Sequence, residues 1–264
     1  MEKVHRVEKI AERIHKMAKD DVLVIGLGEV GRPLLELLGE KHPTIGIDIE
    51  PLTTDGVCKV LHICYPFSER FVGTTVKYIE EKGPSLTIIN STVPPGTTRA
   101  VYRLTHGPIA YSPVRGKHFK MRQDMLHYAK FVGGINENSS LQAVEHFQSI
   151  GLKTATLSSP EAAELAKLAE TTYFGLQIAY AQELERYCNE LVVKYDEVVS
   201  FFDEVPFLPR VKYFPGVIGG HCVMPNIRIL QRLLASDLLD AIVDSNERKI
   251  SEVGAVSAQV EKSL

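Results

Sequence analysis

The chain has 264 residues, of which 44% are hydrophobic, and its formal net charge at pH 7 is −3. This length and composition are typical of a globular protein with one large or two small domains. The lack of a basic excess argues against nucleic acid as a partner. No stretch approaches the roughly 20 consecutive apolar residues of a membrane-spanning helix, so we expect no membrane partner either.

The first 20 residues are predicted to form a charged amphipathic helix that lacks the apolar core and cleavage site of a secretory signal peptide. Neither a CxxC pair nor the density of a disulfide scaffold is found among the four cysteines, which are Cys58, Cys64, Cys188 and Cys222. We therefore expect a reducing, cytoplasmic location. The sequence predicts no metal site.

Residues 21–38 predict a buried strand, a tight turn and a helix. Gly26 is expected to allow the sharp turn, Gly28 the approach of a pyrophosphate, and Gly31 the close packing of helix on strand. The helix N-terminus favours the bound anion. The predicted phosphate-binding turn consists of Gly26, Gly28, Glu29, Val30 and Gly31.

A second buried strand, residues 44–48, ends in Asp48, about 20 residues beyond the glycines. A dinucleotide fold places there the carboxylate that binds the ribose hydroxyls. Because a 2′-phosphate would meet the negative charge of Asp48, the sequence favours NAD over NADP. The structural alternative is an ordinary α/β turn followed by a surface aspartate.

Apolar runs and helical stripes continue to alternate along the chain. Predicted strands cover residues 57–64, 86–90, 109–111, 131–135 and 154–157, and predicted helices cover 69–82, 97–104 and 139–149. This alternation predicts a Rossmann-type α/β fold with a doubly wound parallel sheet. We expect an NAD-binding domain at residues 1–157.

The character of the sequence changes after residue 157. One long helix is predicted from Pro160 to about residue 195, with apolar residues on more than one face, as in helices buried between a domain and a partner. Further helices are predicted at 195–202 and 225–247, separated by a Pro- and Gly-rich stretch. We therefore expect an α-helical second domain at residues 158–264.

Polar residues follow two of the predicted strands, at the sheet edge where open α/β folds bind ligands. Tyr65 and Pro66 follow the third strand, and Ser91 and Thr92 follow the fourth, so all four are candidates for cofactor contact. A plain strand-ending turn is the alternative for the first pair. A capped, proline-stiffened turn is the alternative for the second.

Two residues of the second predicted domain could carry chemistry. Lys167 lies on the long helix and could project toward the sheet edge, although a surface ion pair with Glu164 or Glu170 is the alternative. Cys222 follows a glycine-rich loop just before a predicted helix, where the helix N-terminus favours a thiolate. For Cys222 the alternative is a buried, inert cysteine.

The chain resembles the UDP-glucose/GDP-mannose dehydrogenase family in six segments that occur in the same order: GLGEVG, IGID, STVPPGTT, EAAELAKLAETTYFGLQIAYAQELERYC, PGVIGGHC and SDLLDAIVDSNER. The resemblance implies an NAD-dependent oxidoreductase that converts the primary alcohol of a nucleotide sugar to an acid. It implies that Cys222 is the nucleophile that forms a thiohemiacetal, that Lys167 stabilises an alkoxide, and that Thr92 orders a water molecule. It also implies a homodimer formed through residues 160–195.

Some positions differ from the family's motifs. Val114, Thr171 and Asn226 stand where the family has a glutamate, an asparagine and an acid, and Pro225 replaces a lysine found in some members. No segment matches the family's third, nucleotide-binding domain, so we expect a chain without it. The alternatives are a two-electron dehydrogenase similar to the hydroxyacid dehydrogenases, which need no cysteine, and a catalytically silent NAD-binding homologue with a regulatory or assembly role.

Overall fold

The computed structural model describes residues 21–48, 56–116, 120–204, 214–220 and 222–262. The helix predicted at residues 1–20 lies outside these ranges. The chain divides into two compact units, which we call the N-terminal unit, Met1–Lys167, and the C-terminal unit, Leu168–Leu264. The domain boundary at residue 157 stays a prediction.

The N-terminal unit is built on a seven-stranded sheet with the strand order β2-β1-β3-β4-β5-β6-β7. The strands are β1 (Val22–Ile25), β2 (Thr44–Ile47), β3 (Val60–Ile63), β4 (Leu86–Ile89), β5 (Ile109–Tyr111), β6 (Lys130–Gly134) and β7 (Thr154–Thr156). Strands β1 to β5 are parallel, which confirms the predicted Rossmann-type α/β fold.

The predicted parallel sheet has one exception, because β6 runs antiparallel to β5 and parallel to β7. Parallel neighbours require a connection that crosses back over the sheet. The chain between β5 and β6 does not cross back, since Lys130 at the start of β6 donates to the carbonyls of Ser112 and Pro113 just after β5. The strand therefore begins at the edge where β5 ends.

Both faces of the sheet are covered by apolar cores. Val22 and Val24 of β1 belong to one core cluster, whereas Leu23 and Ile25 belong to the other. Alternate side chains of a strand point to opposite faces, so a strand covered on both sides needs apolar residues at every position. This requirement explains the continuous apolar runs of the sequence.

Five helices of the N-terminal unit lie in the described ranges. They are α1 (Gly31–Gly39), α2 (Phe71–Lys82), α3 (Thr97–Thr105), α4 (Met121–His127) and α5 (Glu137–Ser149). Asn136 caps α5 by accepting a hydrogen bond from the backbone N–H of Ser139. Helix α4 was not predicted, because its buried face consists of little more than Met121 and Met125.

The C-terminal unit is helical in its described part. The long helix α6 (Pro160–Glu190) begins in the N-terminal unit, and it is followed by α7 (Tyr195–Ser200), a 3-10 turn (Phe201–Glu204), α8 (Val223–Leu233) and α9 (Asp237–Lys262). Helix α6 therefore ends before residue 195. None of the described helices is long and apolar enough to cross a bilayer.

The single helix predicted at residues 225–247 is wrong, because the structure has two. Leu234 has an extended backbone (φ −151°, ψ 133°) and ends α8. The Ser236 hydroxyl then accepts a hydrogen bond of 3.4 Å from the N–H of Leu239, so that it caps α9. The apolar stripe is continuous across this break, which is why periodicity alone did not show it.

Candidate functional site

The glycine turn between β1 and α1 leaves no room for a side chain at two of its three glycines. A Cβ on Gly31 would lie 1.7 Å from the carbonyl oxygen of Gly26, and one on Gly26 would lie 2.6 Å from the backbone nitrogen of Tyr65. Gly26 also has a φ of +92°, which favours glycine. Among the described atoms, none lies within 4 Å of a Cβ position on Gly28, so this residue faces open space.

The residues around the turn suit an anionic ligand with a ribose. The N-cap of α1 is Val30, whose side chain has no acceptor for the first N–H groups of the helix. Glu29 is exposed beside it. Asp48 is also exposed, and its Oδ1 accepts a long hydrogen bond of 3.4 Å from the N–H of Leu27. The predicted phosphate-binding turn and the predicted ribose-binding acid therefore lie next to each other.

The four residues predicted to contact the cofactor after β3 and β4 differ in how far they are buried. The Tyr65 side chain lies in the core, where its hydroxyl shares a hydrogen bond of 2.6 Å with Thr75, so only its backbone borders the glycine turn. Pro66 is exposed. Ser91 is buried and donates a 2.6 Å hydrogen bond to the Tyr65 carbonyl, which ties the ends of β3 and β4 together. Thr92 is half-buried.

A buried glutamate on α6 holds the loop that follows Thr92. Both carboxylate oxygens of Glu164 accept hydrogen bonds, at 2.6 Å from the N–H of Gly96 and at 2.8 and 2.6 Å from the N–H and hydroxyl of Thr98. The side chain therefore caps the N-terminus of α3 from another helix. Burial raises the pKa of Glu164 to about 7, against the effect of these three hydrogen bonds.

Lys167 lies on α6 one turn after Glu164 and is half-buried. Glu164 therefore fixes the position of the helix turn that carries this lysine relative to the loop after Thr92. Arg99 of α3 adds a second attachment, because it forms a bidentate ion pair with Glu161 in the first turn of α6. The alternative in which Glu164 is only a surface partner of Lys167 does not hold, since Glu164 has no exposed surface.

A chain of hydrogen-bonded polar side chains, buried except for the partly buried His146, runs across the sheet and was not predicted from the sequence. Lys130 donates to Asn90 Oδ1 at 3.2 Å, Asn90 Nδ2 donates to His62 Nδ1 at 3.1 Å, and His62 Nε2 lies 2.9 Å from His146 Nε2. Burial lowers the pKa of His62 well below its usual value and that of His146 to about 4. The sequence feature that could have indicated these side chains is a polar residue inside or next to an apolar strand.

Cys222 lies in the C-terminal unit at the N-cap of α8 and is exposed. The loop before it is fixed by two buried side chains. Gln182 donates to the carbonyl of Gly216 at 2.7 Å, and Asn246 accepts from the N–H of Ile218 at 2.7 Å. The thiol is therefore presented at a helix N-terminus by an anchored loop, so it is not a buried core cysteine.

Two of the positions that differ from the family's motifs contact each other. Asn226 Nδ2 donates a 2.9 Å hydrogen bond to the hydroxyl of Thr171, which donates in turn to the carbonyl of Leu168 at 3.0 Å. Asn226 is buried at the first turns of α8. Val114, the third such position, is buried in the apolar core of the N-terminal unit. Within the described ranges, no cluster of three or more His, Cys, Asp or Glu could hold a metal ion.

Comparisons with known proteins agree with these features. A family model of the UDP-glucose/GDP-mannose dehydrogenase family, central domain, matches residues 161–248. The UDP-N-acetyl-D-mannosamine dehydrogenase of Methanococcus vannielii is 30% identical over 154 residues, which cover 58% of this chain and 35% of that protein. The NDP-N-acetyl-D-galactosaminuronic acid dehydrogenase of Ralstonia solanacearum is 23% identical over 263 residues, covering 76% of this chain and 62% of that one.

The fold is also that of solved structures. A structure of UDP-D-ManNAc dehydrogenase from Pyrococcus horikoshii aligns with a TM-score of 0.77 at 20% identity, covering 92% of this chain and 72% of that one. The match spans about a third of the length of the Methanococcus relative. Together with the six motifs, these similarities confirm the resemblance seen in the sequence: residues 161–248 match the central domain of the UDP-glucose/GDP-mannose dehydrogenase family, and the chain is similar to UDP-N-acetyl-D-mannosamine dehydrogenases.

Proposed function

We propose that this protein is an NAD-dependent dehydrogenase that oxidises the primary alcohol of a nucleotide sugar. The observation that carries the proposal is the glycine turn, in which Gly26 and Gly31 have no room for a Cβ and Gly28 faces open space. The N–H of Leu27 in the same turn donates to Asp48. This arrangement suits the pyrophosphate and ribose of a dinucleotide. The acid at position 48 supports NAD over NADP, whose 2′-phosphate it would repel.

The names of the relatives support a substrate class. They are dehydrogenases of UDP-N-acetyl-D-mannosamine and of NDP-N-acetyl-D-galactosaminuronic acid. We therefore propose a nucleoside-diphosphate N-acetylhexosamine as the substrate.

The proposed roles of the side chains follow from their chemistry and from the family's motifs. NAD, when bound, accepts hydride. Lys167 provides a positive charge that stabilises a developing alkoxide, and Thr92 positions a water molecule. The Cys222 thiol, at a helix N-terminus, adds across the aldehyde C=O bond. Its sulfur bonds to the carbon as the C=O π bond breaks, and the thiol proton passes to the oxygen, which becomes the thiohemiacetal hydroxyl.

A two-electron oxidation that stops at the aldehyde or ketone is the second candidate. Val114 is buried and apolar, and Asn226 donates to Thr171, so neither position offers the carboxylate found in the family. Loss of one general base typically costs about 10²- to 10⁴-fold in rate. If the loss of these carboxylates abolishes turnover altogether, the protein is a catalytically silent NAD-binding homologue.

We further propose that the protein is cytoplasmic and forms a homodimer through α6. The helix exposes large apolar side chains along its length, namely Leu165, Tyr173, Phe174, Tyr180 and Tyr187. Such side chains on one long helix are typical of a subunit interface. The seven-residue spacing of Tyr173, Tyr180 and Tyr187 places these three rings on one side of the helix.

The first experiment measures NADH formation, followed by absorbance, with UDP- and GDP-sugars and with small hydroxy acids. Two NADH per nucleotide sugar would support the four-electron reaction, whereas one per substrate would support the two-electron reaction. Binding of NAD without turnover of any substrate would favour the silent homologue. Failure to bind NAD would contradict the proposal altogether.

A thiol variant then tests covalent catalysis. Cys222→Ala is expected to abolish formation of the acid while NAD affinity stays unchanged, because the thiol has no part in dinucleotide binding. Cys188→Ala is the control, since it removes a buried thiol from the same unit. Full turnover in Cys222→Ala would show that the reaction needs no thiohemiacetal.

A further inference from the structure

Lys130 is a buried lysine in the N-terminal unit, and neither the family motifs nor the proposed mechanism gives it a role. Its residue is 4% exposed, at the first position of β6. The ammonium group donates three hydrogen bonds, at 3.2 Å to Asn90 Oδ1, 2.6 Å to the carbonyl of Ser112 and 3.0 Å to that of Pro113. It also lies 5.0 Å from the centre of the Phe147 ring.

The three acceptors belong to two loops that lead into the candidate site. Asn90 is followed directly by Ser91 and Thr92, and Pro113 is followed directly by Val114. Both loops leave the carboxyl ends of their strands, β4 and β5, at the edge where an open α/β sheet binds ligands. Lys130 therefore links the Asn90 side chain after β4 to the backbone carbonyls of Ser112 and Pro113 after β5.

The number of N–H donors on the Lys130 side chain depends on its charge. A protonated lysine has three N–H donors and matches the three acceptors, whereas a neutral lysine has two and leaves one buried oxygen without its bond. Burial lowers the pKa of Lys130 to about 7. The titratable groups that face it are Cys64 after β3, Lys167 on α6 and His62 on β3.

We propose that Lys130 is a positioning residue, which in its charged form locks the loop carrying Thr92 to the loop carrying Val114. This inference rests on the proposed function for its effect on turnover, but not for its effect on the loops. When Lys130 is neutral, the lock has lost one of its three bonds and the loops loosen. Turnover then depends on a group that never contacts the substrate.

The test compares Lys130→Arg and Lys130→Met with the wild type. Arginine keeps the charge and its donors at all working pH values, so Lys130→Arg is expected to remain active. The kcat of the wild type divided by the kcat of Lys130→Arg should fall as the pH rises from 6 to 8.5, because only the lysine loses its charge. Lys130→Met is expected to lower kcat by about 10- to 100-fold at pH 6.5, since small misplacements of catalytic groups have effects of this size, with KM for NAD changed far less.

Hydrogen exchange of the two loops gives a readout that needs no substrate. Amide protection of residues 90–93 and 112–116 should fall in the wild type as the pH rises through 7, after correction for intrinsic exchange, and should stay constant in Lys130→Arg. Lys77→Arg on the exposed side of α2 is the matched control and should behave as wild type.

These readouts separate failure of the inference from failure of the proposed function. Equal pH dependence of loop protection in the wild type and in Lys130→Arg would overturn the role of Lys130, whatever the activity. A difference in protection without NADH formation from any substrate would support the lock and contradict the proposed activity instead. If Lys130→Met does not fold, the Lys130→Arg comparison still decides.

Discussion

Gly28 and Gly31 lie three residues apart in one turn, yet a methyl group at the two positions has opposite consequences. Gly31→Ala would place its Cβ 1.7 Å from the backbone oxygen of Gly26, so the backbone must move. We expect a loss of about 3 kcal/mol or more in the free energy of unfolding, measured by urea denaturation. Wild-type stability in this variant would contradict the packing of α1 on β1.

Gly28→Ala is the matched substitution, because the described atoms leave its Cβ free of contacts within 4 Å. We expect a change of less than about 1 kcal/mol in stability. The added methyl group would occupy the space proposed for the pyrophosphate, so NAD affinity should fall by more than about tenfold, which corresponds to about 1.4 kcal/mol. Calorimetric titration with NAD measures this, and unchanged affinity would place the dinucleotide elsewhere.

The pair formed by the buried His62 and the partly buried His146 predicts acid sensitivity. Burial lowers the pKa of both histidines below 6.5, to about 4 for His146. Just below pH 6.5, both rings therefore stay neutral in the folded protein, whereas the same histidines in the unfolded chain bind protons. Stability contributed by the neutral pair is complete above pH 6.5 and is lost as the pH falls toward 4. Urea unfolding at pH 7.5 and 4.5 should show this loss.

His146→Gln removes one titrating group from the pair. Between pH 7.5 and pH 4.5, the free energy of unfolding of His146→Gln should therefore fall by about 2 kcal/mol less than that of the wild type. His127→Gln, at an exposed position of α4, should keep the wild-type pH dependence. The same acid loss in His146→Gln as in the wild type would remove His146 as its cause.

At the scale of elements, Glu164 joins α6 to the start of α3. Glu164→Gln replaces one acceptor oxygen by an amide NH₂, which faces an N–H of Gly96 or Thr98 instead of accepting from it. An unsatisfied buried donor costs about 1 to 3 kcal/mol, and we expect thermal unfolding to show a loss of this size. Lys167 should lose its fixed position at the same time, so kcat should fall.

Glu161→Gln, one turn earlier on α6, is the control for this substitution. Its partner Arg99 forms a partly exposed ion pair, and such pairs contribute less than about 1 kcal/mol. A loss in Glu161→Gln as large as in Glu164→Gln would show that the attachment of α6 depends on charge in general. The buried carboxylate would then have no special part in it.

The pattern of apolar residues predicted β1, which is an unbroken apolar run buried on both faces, and α1, whose buried leucines recur at helical spacing on one face. It missed the direction of β6, which depends on where the preceding connection ends, and it missed the break at Leu234, where the apolar stripe continues. It also missed Lys130, since a single polar residue in an apolar strand has no period. The glycine turn and Asp48 were predictable because a steric or electrostatic requirement at each position restricts the residue type.

At the scale of the whole molecule, the family similarity and the exposed surface of α6 concern the same helix. The family model begins at residue 161, and α6 runs from Pro160 to Glu190. Tyr173, Tyr180 and Tyr187 are each more than half exposed, although their rings are largely apolar. Three such rings spaced by seven residues favour a partner helix that covers them.

Tyr180→Glu tests this interface. A glutamate at the centre of a subunit contact would be buried without a partner charge, so we expect the dimer to dissociate to monomers in sedimentation equilibrium. Leu141→Glu is the control, because Leu141 is a similarly exposed apolar residue on α5 and should leave the dimer intact. A wild-type protein that sediments as a monomer would contradict the homodimer, and loss of the dimer in Leu141→Glu alone would place the interface on the N-terminal unit.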